Sequence, residues 1–366
     1  MENNLLTLLV LLLVLGGSVF LHELGHFLAA RWMNIEVEEF GFGFPPKILT
    51  LFHWQGTEFS LNWIPLGGFV RPKGENDPNV TDGLAAAAPL KRLVVLFAGP
   101  LMNLLTAFVI FTFIISQQGI PTPKMVTISE VMPASPAQAA GFQANDRLIS
   151  INGVELTTVK DASQAIRAGV DTTLNFVIER GGQTITLSAT PLSSRKAPLG
   201  VSISAPLRPA SPLEALSAGA EETYYQIINT ALIPVSLIRQ KISPQEARPI
   251  GLVGMFNIFG QAIQRDSESR QTPAPSDTSS AARPTNWVLS IAAMLAVSLG
   301  VFNLYPIPAL DGGRILFTLP ELFLNRRIPY QMENIINGVA FLLLIGLMII
   351  INSWDVIDPA NIILPK

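Results

Sequence analysis

The stretch that most constrains this chain is residues 5–21, L-L-T-L-L-V-L-L-L-V-L-G-G-S-V-F-L, which carries no charge and runs directly into H-E-L-G-H at 22–26. Such a run reads as a helix able to cross a hydrocarbon core of roughly 30 Å at about 1.5 Å per residue. The first span is therefore expected from residue 5 to about 30. On a helix, His22 and His26 lie one above the other on the same face, so both imidazoles can reach one metal ion. Glu23 completes H-E-x-x-H, in which two histidines bind zinc and the glutamate acts as general base toward water. The stretch thus predicts a hydrolytic metal site at the end of a membrane span.

Composition agrees with a membrane protein. Hydrophobic residues make up 49% of the 366 and charged residues only 14%, against roughly a quarter charged in soluble domains. A net charge of −3 offers no basic surplus, so nucleic acid is not an expected partner. With no cysteine, disulfides and thiolate ligands are excluded, and a metal must be held by His, Asp or Glu. Met1–Asn4 has no Lys or Arg, and no A-x-A-like cleavage site follows, so the amino-terminal helix is expected to be retained.

Further along, short apolar runs between Asn34 and Lys73 are punctuated by G-F-G-F-P-P at 41–46 and P-L-G-G-F-V at 65–70, the pattern of membrane-associated β-hairpins. A second span covers Leu93–Ile115 and contains Gly99, Pro100 and Asn103. Asn103 in hydrocarbon needs a partner, as helix-packing glue or in a direct role. After Gln117 the composition becomes that of a soluble domain. Residues 121–205 carry, in order, V-T-I-S-E-V, S-P-A-Q-A-A-G-F, N-D-R-L-I-S-I-N-G, a helical D-A-S-Q-A-I-R, and the strands L-N-F-V-I-E-R and Q-T-I-T-L-S-A. This order resembles a bacterial-type PDZ domain. The resemblance implies an inserted α+β domain that binds an extended peptide or chain terminus by β-augmentation, or else a steric filter. Asn145 replaces the glycine usual before the aspartate at its turn, and asparagine tolerates the left-handed conformation needed there.

Residues 206–264 suggest amphipathic or interfacial helices, with apolar stretches at 224–238 and 250–263 too short for full spans. Residues 265–286 read as a disordered linker or loop. A third span is expected over Val288–Leu310 and a fourth over Ile335–Ile351. The fold class is then a polytopic α-helical membrane protein of about four transmembrane helices, with a β-hairpin region and an inserted domain. Arg31, Lys47, Arg71, Lys73, Lys91 and Arg92 lie between the first two spans, and Arg314, Arg326 and Arg327 between the last two. By the positive-inside rule these loops are cytoplasmic and the inserted domain lies outside the cell membrane.

A catalytic zinc site needs a third protein ligand and leaves its fourth position for water. The chain has three histidines, so a three-histidine site would require His53, which sits between Phe52 and Trp54 where a solvated or interfacial ring is expected. Asp311 is the other candidate. It follows the apolar run of the third span, where a carboxylate can also be only a helix-terminal or snorkelling group. Gly312 and Gly313 beside it allow close backbone approach, as expected where two spans meet around an ion.

H-E-L-G-H at 22–26, A-G-P-L-M-N at 98–103 and N-L-Y-P-I-P-A-L-D-G-G at 303–313, with the PDZ-like insert between, resemble the site-2 protease family of intramembrane zinc metalloproteases. The likeness is to the bacterial group that cleaves membrane-anchored anti-sigma factors, with a single PDZ-like domain where some relatives have two. It implies zinc held by His22, His26 and Asp311, Glu23 as base, and Asn103 and Asn303 near the substrate strand. The implied partners are the bilayer and a transmembrane protein substrate, cut near the cytoplasmic side. Gly67 and Gly68 are either an ordinary turn or part of an open strand edge for a locally unwound substrate. A metal-dependent ion pathway would not require Glu23 beside a ligand, and an inactive adaptor would not retain the whole polar set.

Overall fold

The computed structural model describes residues 2–195, 197–243, 247–271 and 286–358. Its described residues form two compact units, one from residues up to Ile114 and from Leu216 onward, the other Ile115–Ala215.

The first unit begins with α1 (Glu2–Trp32). Two long, bent strands follow, β1 (Val37–Trp54) and β2 (Thr57–Pro72), before α2 (Pro89–Gln118). Each strand pairs with the other twice: Phe40 lies opposite both Phe59 and Val70, and Phe59 opposite both Phe40 and Phe52. The result is four antiparallel arms in the order 47–54, 57–62, 37–44, 68–72, rather than simple hairpins. One face of this sheet is aromatic. Phe20 and Phe27 of α1 stand edge-on to Phe40 at 5.5 Å each, and Phe20 stacks on Phe42 at 5.4 Å. Aromatic pairs of this kind add about 0.5–1.5 kcal/mol each beyond area burial, so the sheet is firmly held on α1. Beyond that contact, Phe52, Trp54 and Trp63 are exposed, as expected of aromatic side chains meeting a bilayer interface.

The second unit contains β3 (Ile120–Pro121), β4 (Val126–Val131), α3 (Pro136–Ala139), β5 (Arg147–Ile151), β6 (Val154–Glu155), α4 (Val159–Ala168), β7 (Leu174–Arg180), β8 (Gln183–Ala189), β9 (Val201–Ser204) and β10 (Leu207–Arg208). Its main sheet runs β8-β7-β5-β4-β9, with β6 paired to β5. Phe142 and Phe176 meet at right angles, 5.1 Å apart, in a core closed by α3 and α4. Asn145 adopts φ +72°, the left-handed turn expected of it. The fully buried Asp146 that follows is held by Arg180 at 2.6 and 2.7 Å.

The chain returns through α5 (Pro212–Ala231), α6 (Ile233–Ile238), α7 (Leu252–Gln271), α8 (Trp287–Asn303), α9 (Asp311–Leu324) and α10 (Tyr330–Ile357). Residues 265–271, expected in a linker, instead complete α7. This helix packs against α1 and α8, and Asp266 accepts the N–H groups of Trp287 and Val288 at 2.7 and 3.1 Å, capping α8. The rest of the expected linker, 272–285, lies outside the described residues. At the other end of α7, fully buried Asp355 of α10 accepts from Gly251, Gly254 and Arg248.

Among the described residues three helices are long and apolar enough to cross a membrane: Asn4–Trp32, Pro89–Gln118 and Tyr330–Ile357. The expected span Val288–Leu310 is not one continuous helix, because α8 stops at Asn303 after 17 residues. Pro306 and Pro308 have no N–H to continue it. At about 1.5 Å per residue α8 reaches roughly 26 Å, short of a full hydrocarbon core. Asp311 accordingly opens α9 rather than closing a span helix.

Candidate active site

Four elements meet at the second half of α1. His22 and His26 point from one face of α1, and their Nε2 atoms are 3.1 Å apart. Asp311, in the first turn of α9, brings Oδ2 to 3.1 Å from His22 Nε2 and 3.4 Å from His26 Nε2. Zinc–ligand bonds of 2.0–2.1 Å at tetrahedral angles place donor atoms about 3.3 Å apart. The three donors therefore form one face of a zinc-sized tetrahedron. No other such cluster occurs among the described residues.

Asp311 is delivered by a sharply folded turn. Ala309 takes φ +73°, and its N–H bonds Asn337 of α10 at 3.0 Å. Side chains at Gly312 and Gly313 would collide with Tyr305 O and with Pro308 Cα, so only glycines let α9 fold back on residues 304–308. One turn into α9, Arg314 pairs with Glu75 of the 73–88 loop.

The histidines are also braced. His26 Nδ1 lies 2.8 Å from Val95 O of α2, so this nitrogen carries the proton and Nε2 keeps its lone pair. Helix α2 comes this close because residue 99 is glycine. A Cβ there would lie 2.6 and 2.8 Å from His26 ring carbons and closer still to Nε2. His22 Nδ1 meets the Asn103 amide at 3.2 Å.

Glu23 lines the same cleft, about 480 Å³ in volume, together with Asn303, Phe341 and, from the arm 68–72, Phe69, Val70 and Pro72. The Val70 N–H bonds Glu23 Oε2 at 3.0 Å instead of β1, so the free edge of the sheet faces the cleft. Gly67, at φ +121°, has no room for a side chain because Val19 of α1 would lie 2.6 Å from it. Gly67 and Gly68 thus seat the arm against α1 and against Gly41, and neither lines the cleft. Asn103, only 1% exposed, is turned to His22, while Asn303 sits half-buried on the cleft wall. His53 is exposed in the outer arm opposite Glu58 and is no part of the cluster.

Four sites of contact escaped the sequence reading: the Val70 N–H, the Val95 carbonyl, the space at Gly99 and the Arg314–Glu75 pair. Only Arg314 left a readable signal, three residues after Asp311 on one helix face.

An i, i+4 histidine pair with an adjacent glutamate and a distant aspartate, set among apolar helices, defines a membrane-embedded metallohydrolase. The model of Peptidase family M50, the site-2 protease family, matches residues 10–347, and the chain belongs to that family. It is a zinc metalloprotease. A Clostridium perfringens protein bearing a zinc-metalloprotease name is 31% identical over 350 residues, covering 95% of this chain and 98% of its own. The zinc metalloprotease RasP of Geobacillus kaustophilus is 27% identical and covers 97% and 98%. Among solved structures, the PDZ domain of an SdrC-like protein of Listeria monocytogenes matches 22% of this chain and 90% of its own, at 19% identity and a TM-score of 0.20.

Proposed function

We propose that this protease hydrolyses a peptide bond within or near the transmembrane segment of a single-span membrane protein, such as an anti-sigma factor or similar regulator. His22, His26 and Asp311 hold the zinc and Glu23 is the base. The observation that carries this reading is the triangle of three donor atoms, 3.1–3.4 Å on a side, with a carboxylate one residue along α1.

When bound, zinc supplies Lewis acidity, polarising a carbonyl and acidifying water. Glu23 takes the proton from the attacking water and passes it to the leaving amide nitrogen as the C–N bond breaks. Its Oε2 is held by Val70, which fixes the carboxylate and leaves Oε1 for this transfer. A helical substrate hides its carbonyls in its own hydrogen bonds and must be locally unwound. The arm 68–72 supplies an open edge along which an extended segment can pair, since N–H and C=O of a strand residue face the same side. Asn303, on the cleft wall, is placed to bind a freed backbone group. This reading is supported by the edge that α1 and Glu23 leave exposed to the cleft.

Purified wild-type protein in detergent is expected to cut a single-span substrate, to lose at least 100-fold in rate when chelated, and to recover with one equivalent of zinc. Cleavage that persists unchanged after zinc is stripped would sink the proposal.

The cleft lies near the cytoplasmic side and the second, PDZ-like unit outside, with α8 and its following turn as a fourth membrane crossing. Support comes from the arginines and lysines that cluster in the two loops beside the site. The chain has no cysteine, so single substitutions report cleanly. Asn79→Cys and Thr184→Cys, both at exposed positions, are expected to react with impermeant maleimide from opposite sides of the membrane. Labelling of both from one side would contradict the topology.

A further inference from the structure

A histidine that holds a metal through Nε2 carries its proton on Nδ1, and that proton needs an acceptor. For His26 the acceptor is Val95 O. For His22 the group at Nδ1 is the Asn103 side chain, whose Nδ2 lies 3.2 Å away while its Oδ1 is buried without any partner. That pairing sets a donor against a donor once His22 Nδ1 is protonated. Amide oxygen and nitrogen are nearly the same size, and half a turn of the amide exchanges them without moving anything else. Oδ1 then accepts the Nδ1–H.

We propose that Asn103 is a positioning residue for the metal: its Oδ1 accepts the His22 Nδ1–H, fixing the tautomer and tilt that present Nε2. The inference rests on the ligand set proposed above. It gives Asn103 a role on a histidine rather than on the substrate strand, where the family resemblance had placed it. The geometry favours this role. Asn103 is 1% exposed in an apolar helix, and burying an amide there costs free energy unless it is hydrogen-bonded. Gly99, one turn earlier on α2, lies under His26, so the face of α2 that reaches one ligand also reaches the other.

The test compares Asn103→Leu, similar in size but without an acceptor, with Asn103→Asp, which keeps an oxygen at the same place. Zinc affinity is measured by competition with a chelator on the full-length protein, and the absorption spectrum of the cobalt-substituted protein reports ligand geometry. Asn103→Leu is expected to weaken zinc about 10–100-fold and alter the cobalt spectrum. Asn103→Asp should stay within a few-fold of wild type in both, and KM at saturating zinc should be unchanged in both. Matching thermal unfolding of the metal-free wild type and Asn103→Leu shows that the loss is not one of folding. Unchanged zinc affinity in Asn103→Leu together with a raised KM would overturn the proposal and return Asn103 to substrate binding. Asp311→Ala is the separate control: zinc retained at full stoichiometry there would fault the ligand set, not the Asn103 contact.

Discussion

Glu23→Gln is expected to bind one zinc per chain with near wild-type affinity and to cut a single-span substrate about 10²–10⁴-fold more slowly. Glutamine keeps the size of the side chain and can still accept the Val70 N–H through its amide oxygen. The arm 68–72 therefore stays on α1, and the donors His22, His26 and Asp311 are untouched. What is lost is a carboxylate able to take a proton from water and return it to the leaving nitrogen. The measurement pairs metal analysis with cleavage rate on the same preparation. Loss of zinc in this variant would make Glu23 a ligand, and cleavage at the wild-type rate would make it a bystander.

Gly99→Ala is expected to be nearly as damaging although residue 99 has no chemistry of its own. Helix propensity alone favours alanine by about 0.8–1.0 kcal/mol in a helix interior. Against this, the new methyl carbon would lie 2.6 Å from His26 Cε1 and 2.8 Å from Cδ2, far inside contact distance. Either the ring leaves the triangle or α2 leaves α1, and a metal site tolerates displacements of only about 0.2 Å. Zinc affinity should fall by at least 100-fold and cleavage with it. Gly338→Ala and Gly346→Ala in α10 are the matched controls, since a Cβ at either position meets nothing within 4 Å. They should leave zinc binding unchanged. A Gly99→Ala protein that binds zinc normally would show that α1 and α2 are not pressed together at the site.

These outcomes bear on which parts of the site a sequence discloses. His22, Glu23 and His26 were legible because helical spacing alone brings them to one place. Asp311 was legible through its flanking glycines and its family motif, but its setting was not. The run 288–310 carries no charge and is mostly apolar, and hydropathy hid the break that Pro306 and Pro308 impose after Asn303. The polar run R-D-S-E-S-R-Q at 265–271 read as linker, yet it finishes α7, where Gln264 and Glu268 bond one turn apart and Asp266 caps α8. In the β region the hairpin pattern was readable, whereas the double pairing of Phe40 depends on bends near 43–46 and 65–67 that set no hydrophobic period. The braces on the site were hidden for a simpler reason. The Val70 N–H and Val95 O are backbone groups that every residue possesses, and the close crossing at Gly99 is a tertiary fact. Asn103 stood out as a polar residue in an apolar span, but only the orphaned Oδ1 and the nearby His22 ring distinguish a brace from packing glue.

The central claim is that one zinc ion joins α1 to α9, and the position of the ion tests it most directly. Diffraction data collected on either side of the zinc absorption edge from crystals of Glu23→Gln protein locate it without reference to activity. The account predicts a single anomalous peak about 2.0–2.2 Å from His22 Nε2, His26 Nε2 and an Asp311 carboxylate oxygen. A peak bonded to His53, or one that leaves Asp311 beyond bonding distance, would contradict it.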